Sequence, residues 1–175
     1  MTLKQLLSAA LTYLDLSDAV LDEQDALEVG QVKLLSKCAE FALDETAAEY
    51  LPIVRSEKLS ASGKKIDNSL FSLQPLRVKK VGREGKTRKF RQRADCVEVE
   101  EDGEYEVEYT ALPSRAQTLE SEVMTALPVP EKSLALGVCA HYAAVTGRYE
   151  QSRVFRQMFS EDMRALMRKS GVMWQ

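Results

Sequence analysis

His141 is the sole imidazole in the 175 residues, so general acid–base or metal chemistry using histidine would have to be built around it. It stands beside Tyr142 in a segment of small residues, with no Cys or carboxylate at helical spacing to complete a metal site. A zinc centre would need at least two further protein ligands, and His141 reads as a packed or surface residue. Cys38, Cys96 and Cys139 are far apart, odd in number and in no metal-ligand spacing. Cys38 and Cys139 fall in apolar helical patterns, where a thiol behaves as a small hydrophobe, so buried free thiols in a reducing compartment are expected. Gly82-Arg-Glu-Gly85-Lys86-Thr87 imitates a phosphate loop, but the spacing is too short and no strand-to-helix context follows. No nucleophile elbow or acidic metal loop occurs. These residues predict a chain that is not an enzyme and carries no cofactor or metal.

The chemistry that remains is charge. Between Arg77 and Arg93 there are nine bases and one acid, Glu84; between Asp95 and Glu108 there are eight acids and no base. The whole chain is only −3, so two strong and opposite local charges lie side by side. Arg83, Lys86, Arg88, Lys89 and Arg91 on the basic side, with Glu98, Glu100, Glu106 and Glu108 on the acidic side, form a candidate subunit or partner interface. Three uses are open: pairing across a sheet within the chain, charge matching between subunits, and gripping nucleic-acid phosphates. Phe90 is the only aromatic in the basic run, which offers little for base stacking.

Helices and strands must position these charges. Leu3, Leu6, Leu7, Ala10, Leu11 and Leu14 keep one helical face, with Thr2 as N-cap. A longer helix is expected from Glu23 to Tyr50, with a break near Gly30 and a stop at Pro52. Arg55 to Asn68 reads as a loop or a short edge strand. From Leu76 the period changes to two: Leu76–Val78, Thr87–Arg91, Val97–Glu100 and Tyr105–Tyr109 read as strands joined by turns at Gly82–Gly85 and Glu101–Gly103. One helical turn is expected at Leu119–Met124. Leu134–Val145 and Tyr149–Met167 then form a helical hairpin around Gly147.

The fold class is therefore α+β, mainly α: a bundle of about four helices carrying an inserted antiparallel β meander. Residues 1–54 and 130–170 make the bundle, 55–129 the β insertion with its flanking loops, and 171–175 a C-terminal tail. The length suffices for a real core, and 45% apolar with 29% charged residues is ordinary for a globular protein. The acidic pI near 5.4 argues against a general nucleic-acid binder. Met1–Leu14 lacks the pattern of a signal peptide, and no window is apolar enough to span a membrane. A soluble chain made in a cytoplasm is expected.

Four segments in order carry a resemblance. They are "LSKCAEFALDETAAEYLP" (35–52), "FSLQPLRVKKV" (71–81), "DGEYEVEYTALP" (102–113) and "LALGVCAHYAAVTGRYEQSRVF" (134–155). Together they resemble the head–tail connector, or neck adaptor, proteins of tailed bacteriophages. The resemblance implies a ring of identical subunits, commonly twelve, seated on the portal and joining it to the tail, with DNA passing through its lumen without sequence recognition. It implies a place in the neck of the virion, reached from the host cytoplasm during assembly. In this setting Val172, Met173 and Trp174 are a candidate portal anchor, the alternative being that Trp174 folds back on its own core. Rival expectations are another neck or tail-completion subunit, and a small nucleic-acid-binding regulator using the basic hairpin.

Overall fold

The computed structural model describes residues 1–16, 21 and 30–171, and the chain divides into two compact units. The first comprises the helices of Met1–Leu51 and Ser114–Gln175, the second Pro52–Pro113. The architecture is α+β, mainly α, with four α-helices and antiparallel strands among the described residues.

In the helical unit, α1 (Leu3–Tyr13) begins with a capping box: Thr2 Oγ1 accepts from Gln5 N, and Gln5 returns its carbonyl oxygen to Thr2 N. Two further N–H groups of its first turn find partners far along the chain. Leu3 N donates to Ser121 O at 2.9 Å and Lys4 N to Leu119 O at 2.8 Å. The helical turn expected at Leu119–Met124 is not formed. The segment carries only a turn and a short bridge to Thr2, and its carbonyls complete the first turn of α1, which has no intrahelical acceptors of its own.

Helix α2 runs Gly30–Glu45, opened by Gly30 at φ +66°. The expected helical stretch from Glu23 to Val29 lies outside the described residues. The last turn, Thr46–Tyr50, widens to π geometry, and there the buried Thr46 hydroxyl donates to Ala42 O at 2.7 Å. Helix α3 (Glu131–Val145) is buried nearly all round and packs against α1, α2 and α4 (Tyr149–Ser170). Its small residues permit that approach: a Cβ on Gly137 would stand 3.0 Å from the Phe159 ring and 3.1 Å from Ala42 Cβ.

The β unit contains seven strands: β1 (Ile53–Ala61), β2 (Lys65–Asp67), β3 (Pro75–Arg83), β4 (Lys86–Thr87), β5 (Phe90–Gln92), β6 (Cys96–Val99) and β7 (Gly103–Ala111). They form a four-stranded sheet in the order β1-β7-β3-β4 and a three-stranded sheet in the order β2-β6-β5. Two expectations are corrected here. Residues 53–61 are a full nine-residue strand rather than a loop or a short one. The sheet is also no meander, because β7 inserts between β1 and β3 instead of pairing with β6. The two sheets share one core that includes Ile66, Val81, Val97, Val107 and Tyr109. Burying those side chains on one face drives the outward display of the alternate, charged ones.

Candidate assembly surface

The outer face of the four-stranded sheet collects the charges. Along β7, Tyr105, Val107 and Tyr109 turn inward, which leaves Glu104, Glu106 and Glu108 on the other face. Register places Lys58 opposite Glu106 on one side and Lys80 opposite Glu108 on the other. Ser56 opposes Glu108 and donates a long bond to Glu106 at 3.4 Å. The β3–β4 hairpin curls over this face, so that Arg83, Glu84, Gly85 and Lys86 complete a cleft of about 630 Å³. The second sheet repeats the motif, with Glu98 of its central strand between Lys65 and Arg91 in register and bonded to Arg93 at 3.1 Å. In both sheets an acidic central strand is flanked by basic neighbours. Opposite pairs of this kind contribute roughly 0.2–1 kcal/mol each.

The hairpin is tied down by Arg83. Its guanidinium bonds Glu101 at 3.1 Å and Asp102 O at 3.2 Å, and it lies 5.8 Å over the Tyr105 ring, within cation–π range.

Of the residues singled out from sequence, Arg83, Lys86, Glu106 and Glu108 meet in the cleft. Arg91 and Glu98 belong to the other sheet. Arg88 and Lys89 occupy the link from β4 to β5, and Glu100 the turn from β6 to β7. Lys86, Lys89, Arg91, Glu100 and Glu106 are exposed; Arg83, Arg88, Glu98 and Glu108 are half-buried. Val172, Met173 and Trp174 lie outside the described residues. Sequence reasoning missed Ser56 and Lys58. The signal was present as alternation after Pro52, but it is masked because Arg55 and Glu57 occupy the inward-facing register. Glu57 is satisfied there by the Tyr109 hydroxyl at 2.6 Å and by both the hydroxyl and backbone N–H of Ser72. Partial burial would raise its carboxyl, but those bonds outweigh it and hold the pKa below the ordinary value.

In the helical unit a second polar cluster joins three helices. Glu45, at the end of α2, accepts from Arg156 of α4 through both oxygens and contacts His141 Nε2 of α3 at 3.0 Å. Burial would raise the Glu45 carboxyl, yet the hydrogen bonds and charges of His141 and Arg156 prevail and lower it. Phe41 leans on the His141 ring, centroids 5.8 Å apart. Phe41, Val145, Tyr149, Val154 and Met158 are all exposed, Tyr149 by 72%. Scattered apolar residues of this size are common on surfaces, whereas contiguous ones mark contact sites. Among the described residues no cluster of three or more His, Cys, Asp or Glu could hold a metal ion, and no helix is long and apolar enough to cross a membrane.

No protein-family model matches the chain, and no curated protein matches it.

Proposed function

We propose that this chain is a non-enzymatic structural subunit of a tailed-bacteriophage virion, a head–tail connector. Its copies form a ring that joins the portal to the tail around the DNA channel. The observation that carries the proposal is the β unit inserted between α2 and α3, whose exposed face bears both signs of charge in alternating register. Such a face selects partners by complementarity more than it adds raw affinity. The order of the four sequence segments supports the same function, as do the exposed apolar side chains of the helices. Both the helical unit and the β unit contribute contacts to the ring.

Reversing Lys86, Arg88, Lys89 and Arg91 to Glu tests the role of the charged unit. The expected result is a folded protein, by circular dichroism, that no longer forms rings on its portal. Unchanged folding together with unchanged ring formation would remove the charged hairpin from assembly.

The exposure of Lys86, Lys89 and Arg91 favours one reading of another class, a regulator that grips duplex DNA through the hairpin. Such a protein binds duplex at low micromolar levels near physiological salt, with affinity falling steeply as salt rises. The connector function predicts no binding of that strength, and other neck or tail-completion subunits differ from it only in their partner.

A further inference from the structure

The two edges of the four-stranded sheet are treated differently. Beyond Gly82 and Arg83, where β4 pairs, the outer edge of β3 is closed by a side chain. Gln92 Oε1 accepts from Val78 N at 2.9 Å and its Nε2 donates to Leu76 O at 3.2 Å. Arg88 N adds a bond to Val81 O at 2.8 Å. At the opposite edge, β1 has β7 on one side only. Among the described residues no group from outside its own ladder is seen bonding to the backbone of Ile53–Ser60; the Ser72 contacts reach only the Glu57 side chain. Val54 is 48% exposed, and Arg55, Ser56 and Lys58 are exposed with it. An open strand of this length presents unpaired N–H and C=O groups to any strand of matching pattern.

We propose that two copies of this chain pair antiparallel through β1, about a twofold axis at Ser56, joining their four-stranded sheets into one. In that register Arg55 faces Glu57 of the second copy, and Glu57 faces its Arg55. Ile53 meets Leu59 and Val54 meets Lys58. Moving the axis by one residue would set Arg55 against Arg55 or Glu57 against Glu57, and like charges directly opposite are unfavourable. Glu57 is already oriented by Tyr109 and Ser72, so half of each ion pair is in place before the copies meet. Gln92 seals the other edge and thereby blocks head-to-tail continuation of the sheet, leaving the isologous contact as the one that extends it. This contact is distinct from any ring interface and does not rest on the connector function.

The test uses the full chain with Ser56→Cys or Ser60→Cys and a short thiol cross-linker, the native cysteines being buried. Across the proposed axis the introduced thiols of the Ser56→Cys variant are directly opposed, whereas those of Ser60→Cys are roughly 26 Å apart. Ser56→Cys should give covalent dimer at least tenfold faster than Ser60→Cys. Equal rates, or no cross-linking of either, would overturn the proposal. Sedimentation of Arg55→Glu, with its fold checked by circular dichroism, should show the dimer weakened about tenfold. Unchanged association of that variant, or a wild-type chain that stays monomeric at about 100 µM, would equally overturn it.

Discussion

Gly103 leaves the space that the Arg83 guanidinium fills: a Cβ at 103 would stand 3.2 Å from both Cζ and one terminal nitrogen of Arg83. Gly103 also sits at φ +140°, a conformation that side chains oppose. The turn between β6 and β7 is thus shaped to receive the hairpin's arginine.

Gly103→Ala should therefore destabilise the chain by about 1–3 kcal/mol, read by denaturant unfolding. Arg83→Ala, removing a cation–π contact and an exposed ion pair, should cost about 1 kcal/mol. In the double variant the steric part of the Gly103→Ala loss disappears and the backbone part persists. Strict additivity of the two losses would show that the guanidinium and the turn do not interact.

The helical unit depends on close approach rather than on charge. Gly137→Val places two methyl groups where Phe159 and Ala42 already stand at 3.0 and 3.1 Å from the first carbon, and should cost at least about 1–3 kcal/mol, the usual range for overpacking. Phe159→Ala, at a fully buried ring in edge contact with Tyr50, should cost about 3–5 kcal/mol. Thermal unfolding of both variants checks this; a midpoint unchanged from wild type in either would contradict the packing.

The helices were legible from residue types because α1, α3 and α4 bury one period of apolar side chains, or nearly all of them. What failed was non-local. Strand β1 carries Arg55 and Glu57 where alternation calls for apolar residues, and the partners that make Glu57 tolerable, Ser72 and Tyr109, lie 15 and 52 positions away. The insertion of β7 between β1 and β3 likewise leaves no local mark. Residues 119–122 form a turn and a short bridge instead of a helix, and the carbonyls of Leu119 and Ser121 serve α1, a demand visible only in three dimensions. At the candidate surface the charge block announced itself, while Ser56 and Lys58 did not. The Glu45 cluster joins residues 96 and 111 positions apart, beyond any motif.

That cluster predicts a pH dependence. Glu45 has a folded pKa below its ordinary value of 4.5, so it binds its proton less readily when folded. Its contribution to stability is then fully present above pH 4.5 and is lost as pH falls through the folded value. Glu45→Gln should flatten the acid limb of the stability profile and lower stability at neutral pH. Parallel acid limbs for the two proteins would contradict the assignment.

Burial pushes the Cys38 thiol up to about 11 and the Cys139 thiol up to about 12. Both should resist a thiol-specific reagent at about pH 8 in the native protein and react at once in denaturant, since the thiolate is the nucleophile. Fast native reaction at either position, located by peptide mapping, would show that the core opens readily.

The connector function itself is tested most directly by electron microscopy of the full chain produced together with the portal protein of the same genome. The account predicts a closed ring of this chain on the tail-facing end of the portal, with its channel continuous with the portal's. A bare portal beside free chain, at concentrations where both are folded, would contradict it.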